Sequence, residues 1–159
     1  NEGEVTRIGS DCHIMAYAHV AHACQIGNHV IMANCATLAG DVTVEDYAIL
    51  GGMAGVHQFV RVGKLCILGG CTKVTQDCLP YMIIDGNPAR VHGPNKLGLQ
   101  RNNVGADAQR LLKQAYRILC RDSLSTSKAI EKIRNELDGC LEIEHLLSFV
   151  EGSERGVIK

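Results

Sequence analysis

Hydrophobic positions in the first half of the chain recur at every sixth residue. Counted from Ile8 they are Ile8, Ile14, Val20, Ile26, Met32, Leu38, Val44, Leu50, Val56, Val62, Leu68 and Val74, all aliphatic. Four places after each stands Cys12, Ala18, Cys24, Val30, Ala36, Val42, Ala48, Ala54, Val60, Cys66, Thr72 or Cys78, all small or β-branched. Neither the 3.6-residue period of a helix nor plain strand alternation keeps this phase over so long a stretch. A fixed short repeat is the mark of a solenoid. Each hexad supplies one short strand and one corner, and three hexads close a triangular coil of 18 residues. Coils then stack at the usual strand spacing of ~4.8 Å, with the aliphatic pointing inward from a flat side and the small residue near a corner. The pattern predicts four coils, at 8–25, 26–43, 44–61 and 62–79.

The clock stops at Pro80, and Gly86-Asn87-Pro88 reads as a turn. Beyond it the period becomes helical. Ala108, Leu111, Leu112, Ala115 and Leu119 form one face of a helix over Ala106–Arg121. Ser125 or Thr126 caps a second helix with Ala129, Ile130, Ile133 and Leu137 inside, closed by Gly139. A third helix over Glu142–Glu151 presents Ile143, Leu146, Leu147 and Val150. The expected organisation is therefore a parallel β-helix over 1–86 and an α-helical C-terminal domain over 87–159, too small for a large core of its own and so packed on the coils or on a neighbour.

Composition agrees with a narrow, repetitive interior: 46% of the 159 residues are apolar, but only 4% are aromatic. Net charge is −1, which implies no nucleic-acid partner. The charge is uneven, however, and residues 87–121 hold seven basic side chains against one acidic, suited to an anionic ligand or an acidic partner. No apolar run approaches the ~20 residues that span a bilayer, so no stable membrane insertion is expected. The eight cysteines contain no C-x-x-C pair and read as reduced thiols of a cytoplasmic protein. Four of them, Cys12, Cys24, Cys66 and Cys78, fall on the small inward position, where a thiol acts as a small hydrophobe.

Histidine carries the candidate chemistry. Five of the seven lie between His13 and His57. Residues 18 apart should superpose, which stacks His22, Gly40, Gln58 and Gln76 in one column, with His57 in the next beside Ala21 and Ala39. A neutral imidazole with a pKa near ~6.5 can take a proton from a hydroxyl, and a backbone N–H at glycine can approach an oxyanion closely. Together they are a minimum set for acyl transfer. His19, His22 and His57 fall on one sector and are read as functional, whereas His13, His29, His92 and His145 are read as ordinary surface or structural residues. Met53 and Phe59 add an apolar patch on outward positions of that sector.

The runs His19-Val20-Ala21-His22, Asn34-Cys35-Ala36-Thr37-Leu38-Ala39-Gly40, Gly51-Gly52-Met53-Ala54-Gly55-Val56-His57-Gln58-Phe59 and Gly86-Asn87-Pro88-Ala89-Arg90, with Gly93-Pro94-Asn95, Gly98-Leu99-Gln100-Arg101 and the terminus Arg155-Gly156-Val157-Ile158, resemble the UDP-N-acetylglucosamine O-acyltransferases that open lipid A biosynthesis. The resemblance covers nearly the whole chain. It implies a left-handed β-helix, a winding that periodicity cannot supply because ~98% of parallel connections are right-handed. It further implies transfer of a (3-hydroxy)acyl chain from acyl carrier protein to the 3-position of UDP-N-acetylglucosamine or its 3-amino analogue. Such enzymes are homotrimers with sites between β-helices, need no cofactor or metal, and carry further coils ahead of the position of Asn1.

By position, the resemblance implies that His22 is the general base and Gly40 the oxyanion-binding amide. It places His19 on the sugar, His57 and Gln58 on the nucleotide sugar, Asn95 and Arg101 on the uridine diphosphate, and Gly70 where acyl-chain length is limited. Asp41, also counted among the substrate-binding residues, stands where the family commonly has His. Leu97 replaces a frequent Glu, and Asn102 replaces the second Arg of a frequent pair. Two other readings fit the same scaffold: another hexapeptide acyltransferase acting on a nucleotide sugar or using acetyl-CoA, and a trimeric zinc enzyme of the γ-carbonic anhydrase type with His19, His22 and His57 as imidazole ligands.

Overall fold

A computed structural model describes residues 5–159. Its first half contains twelve two-residue strands, β1 to β12 in chain order, one for each aliphatic of the repeat. They form three faces of a prism. The first face holds β1 (Arg7–Ile8), β4 (Gln25–Ile26), β7 (Thr43–Val44) and β10 (Arg61–Val62). The second holds β2 (His13–Ile14), β5 (Ile31–Met32), β8 (Ile49–Leu50) and β11 (Ile67–Leu68). The third holds β3 (His19–Val20), β6 (Thr37–Leu38), β9 (Gly55–Val56) and β12 (Lys73–Val74). Every coil-to-coil pair is parallel and in an 18-residue register, such as Val20↔Leu38 and Leu38↔Val56. The columns deduced from the repeat therefore superpose.

Inward aliphatics from Ile26 onward are buried, as are most of the small corner residues. In the first coil Ile8 and Ile14 remain 48% and 42% exposed, because no described residue lies beyond them along the prism axis. Leu50 is fully buried at mid-prism between Met32 and Leu68. We expect Leu50→Ala to lower unfolding stability by about 2–5 kcal/mol, read from the denaturation midpoint. An unchanged midpoint would show that the coils collapse into the void instead of keeping their layer spacing.

The corners turn by a device that glycine does not reveal. Each sixth residue from Asp11 to Cys71 has positive φ, including Ala23, Asp41, Tyr47, Met53 and Phe59, and none of them is glycine. The left-handed region costs an L-residue roughly 1–2 kcal/mol. It is held here by a coil-to-coil bond: the N–H of Asp41 donates to His22 O at 3.0 Å, that of Met53 to Asn34 O at 2.9 Å, and that of Tyr47 to Asn28 O at 2.9 Å.

The solenoid ends in a hairpin that the repeat does not predict. β13 (Met82–Gly86) joins the second face beside β11, pairing Ile67 with Ile83, so the last coil is shorter than the others. The Gly86-Asn87-Pro88 turn then leads into the antiparallel β14 (Ala89–Pro94). Reversal of direction ends the parallel stack, and a helix covers the edge that remains. That helix is α2 (Ala106–Cys120), which follows the short α1 (Lys96–Arg101) and packs on β14, α3 (Thr126–Glu136) and α4 (Leu141–Glu151). Ser125 caps α3 through the Lys128 N–H. That helix stops at Glu136, before Gly139, because Leu137 already turns to extended backbone.

The helical tail is tied to the prism by polar clamps. Arg61 on β10 lies over the Phe149 ring at 4.1 Å and donates to the carbonyls of Phe149 and Gly152. His145 on α4 meets Glu45 at 3.1 Å and the Tyr81 hydroxyl at 2.8 Å. Burial pushes the Tyr81 phenol well above its ordinary range, with Glu142 and Glu45 adding to the effect, so the neutral hydroxyl is the form that pairs with His145.

Candidate active site

The edge where the third face meets the first carries the predicted base and amide. His22 lies just past β3 and Gly40 just past β6, one coil further on. A Cβ built on Gly40 would overlap Cε1 and Nε2 of His22 and come within 3.0 Å of Nδ1. The imidazole thus lies directly over Gly40, and only glycine leaves room for it. The Gly40 N–H donates to no acceptor among the described residues, although both neighbours are bonded, Ala39 to Val56 O and Asp41 to His22 O. A free amide therefore stands beside a ring whose side chain is 65% exposed. This pair can take a proton from a bound hydroxyl and donate a hydrogen bond to an oxygen that becomes negative.

Asp41 continues the edge. Its carboxylate is 3.9 Å from His22 Nδ1, beyond hydrogen-bond length, and places a negative charge beside the ring. Gln58, one coil on, holds Asp41 through a 3.0 Å bond from Nε2 to Oδ2. His57 is exposed on the same coil as Gln58 and has Nδ1 at 3.2 Å from the Gln58 carbonyl oxygen. The C-terminal segment reaches this edge as well. The Arg155 guanidinium lies 3.4 Å from His57 Nδ1, a contact across 98 positions of sequence that no local pattern signals. Behind it the buried Asp77 accepts from Arg61 N–H and the Ser153 hydroxyl, while its backbone pairs with Gly156 and Ile158.

Other predicted residues lie elsewhere on the prism. His19 is exposed on β3, on the third face, one coil from Thr37 and two from Gly55. Gly70 is on the second–third edge, where an added Cβ would meet only Gly52 O at 3.4 Å. Asn95 and Arg101 bound α1 beside the first–second edge, since Asn95 Nδ2 donates to Leu65 O at 2.9 Å. Asn95 is 2% exposed, and its Oδ1 caps α1 by accepting the Gly98 N–H at 2.9 Å, so its side chain also has a structural role at the start of that helix. An Asn directly before a helix is a common cap, and the sequence already contained that signal. Arg101 ends α1 on the surface with no acidic partner among the described residues. Met53 and Phe59, 64% and 56% exposed, sit on the two edges that flank the third face and do not form one patch.

The inward cysteines are packing residues. Cys24, Cys66 and Cys78 are fully buried and Cys12 partly so. Burial pushes the Cys24 and Cys78 thiols up, away from the reactive thiolate. His29 stacks on Tyr47 at 4.6 Å, and His145 is held by Glu45 and Tyr81, which gives both a structural role. Within one chain His22 and His57 are two coils apart, roughly 10 Å at strand spacing. Among the described residues no three His, Cys, Asp or Glu side chains converge as a metal-ligand set.

Residues 77–158, half of the chain, match the family described as UDP N-acetylglucosamine O-acyltransferase, domain 2, and residues 6–40 match the bacterial transferase hexapeptide repeat. The chain belongs to the UDP-N-acetylglucosamine O-acyltransferase family. It is 46% identical over 98% of its length to an acyl-[acyl-carrier-protein]–UDP-N-acetylglucosamine O-acyltransferase of Burkholderia mallei, and 43% identical to the protein of that name from Burkholderia orbicola. It spans 61% of the length of these curated relatives. Among solved structures, LpxA from Acinetobacter baumannii superposes with a TM-score of 0.92 at 34% identity, over 97% of this chain and 60% of that one. A UDP-N-acetylglucosamine acyltransferase from Arabidopsis superposes at 0.89 and 34% identity, over 96% and 56% of the two chains. The left-handed winding expected of this family holds, since a prism of the opposite hand would not superpose so closely. No helix among the described residues is long and apolar enough to cross a membrane.

Proposed function

We propose that this chain carries the acyl-transfer site of an enzyme that moves a (3-hydroxy)acyl group from acyl carrier protein to the 3-position of UDP-N-acetylglucosamine. The observation that carries the reading is the His22 ring lying over Gly40 with its unpartnered N–H. His22 takes the proton of the acceptor hydroxyl as its oxygen attacks the thioester carbonyl. The Gly40 amide holds the resulting oxyanion, and Asp41 places a negative charge beside the ring. Collapse of the tetrahedral adduct forms the ester and breaks the C–S bond, and the departing sulfur takes the proton from His22. The acceptor oxygen attacks the thioester directly, and the buried cysteines have no part in these steps.

The spread of the remaining residues supports a homotrimer. In one chain His22, Gly40, Asp41, His57 and Gln58 occupy one edge, Gly70 a second and Arg101 a third. A ligand touching all of them needs edges from different copies, set side by side. The exposed Tyr17, Met53 and Phe59 supply apolar surface for such contacts.

The test supplies the protein with 3-hydroxyacyl carrier protein and acetyl-CoA as donors, and with UDP-N-acetylglucosamine and its 3-amino analogue as acceptors. Mass spectrometry should find an acylated nucleotide sugar from the carrier-bound donor, with a base-labile ester when the hydroxyl sugar is used. Product from acetyl-CoA alone would move the chain to a different transferase class.

A further inference from the structure

His57 faces two groups that make opposite demands on one nitrogen. The Gln58 carbonyl, 3.2 Å from Nδ1, can only accept and so requires a proton on Nδ1. The Arg155 guanidinium, 3.4 Å from the same atom, can only donate and so requires a lone pair there. The neutral ring satisfies one of them at a time. The guanidinium is not a passing neighbour. Its Nε and Nη2 both point at Thr75 O at 3.4 Å, its own carbonyl accepts from Gln76 Nε2 at 3.2 Å, and the next residues run along Asp77, with Asp77 N–H on Gly156 O and Ile158 N–H on Asp77 O. The tail thus delivers a fixed donor to the ring, and a charge-assisted bond is roughly twice as strong as a neutral one.

We infer that Arg155 is a positioning residue that selects the His57 tautomer: Nδ1 stays a lone pair toward the guanidinium, and Nε2 carries the N–H on the side away from the tail. An outward N–H donor suits a ligand rich in acceptors, such as the phosphate and carbonyl oxygens of a nucleotide diphosphate. Release of the tail returns the proton to Nδ1, for the Gln58 carbonyl, and turns a lone pair toward the ligand. This last step rests on the proposal that the edge holds a nucleotide sugar, whereas the tautomer assignment does not.

The experiment uses the full chain labelled with ¹⁵N-histidine and reads His57 by long-range ¹H–¹⁵N correlation without ligand. Wild type is expected to show a protonated Nε2, Arg155→Met a protonated Nδ1, and Arg155→Lys, which keeps a cationic donor, an intermediate mixture. Slow exchange of the Ile158 amide, donated to Asp77 O, reports that the tail remains docked. Calorimetric affinity for UDP-N-acetylglucosamine should fall about tenfold in Arg155→Met and recover in part in Arg155→Lys. A wild-type ring protonated on Nδ1 overturns the inference whatever the variants do, and so does a tautomer unmoved by Arg155→Met. A tautomer that responds as expected in a protein with no affinity for the nucleotide sugar leaves the inference standing and removes the functional reading beneath it.

Discussion

Replacing His22 by alanine should reduce acyl transfer by about 10²–10⁴-fold, the range a positioned general base contributes. The loss belongs in kcat more than in KM, because the imidazole acts as the proton moves. The fold should not change, since the side chain is 65% exposed and lies outside the prism core. Steady-state kinetics at saturating acceptor, with circular dichroism and sedimentation as controls, give the answer. Turnover within a few-fold of wild type in a correctly assembled His22→Ala protein would remove the base from the mechanism.

Gly40→Ala should cost nearly as much, for a steric reason. The backbone at Gly40 is not in the left-handed region, so alanine meets no conformational penalty there. The added methyl nevertheless occupies the place of the His22 ring and must push it off the edge. Activity should therefore drop by about a hundredfold or more, although the amide N–H survives. The two substitutions act on one unit, so their effects should not add. Gly40→Ala placed on His22→Ala should lower activity little further, and should destabilise the protein less than it does alone, because the ring it collides with is gone. Additive losses would mean that the two residues act independently and that the stacked geometry is incidental.

The register was legible because one period controls both the packing and the site. Once Val20, Leu38 and Val56 are recognised as equivalent, His22 and Gly40 must superpose, and they do. The same logic placed Gln58 one coil beyond Gly40, and the structure adds its bond to Asp41. What the repeat could not give was anything outside its own arithmetic. The hairpin Met82–Pro94 follows a shortened coil and has alternating character that a search in sixes passes over. Asn95 was assigned by position in a motif, which left its second role as the cap of α1 unread. Arg155 and Asp77 depend on a chain end folding back over the last coil, and no spacing rule joins residues so far apart. The left-handed corners were also hidden, because Asp, Ala, Tyr, Met and Phe occupy positions where glycine would have announced the turn.

The eighteen-residue register constrains how such a gene can change length. Loss of one codon within a coil shifts every later side chain by a place, turning inward aliphatics out and separating the imidazole from its glycine neighbour. Removal of a whole coil keeps every column aligned, but brings the helical cap one storey nearer the reacting edge. Insertions that leave both alignment and height intact can only bulge from a corner, so variation in length among functional descendants should gather at those vertices and spare the flat sides.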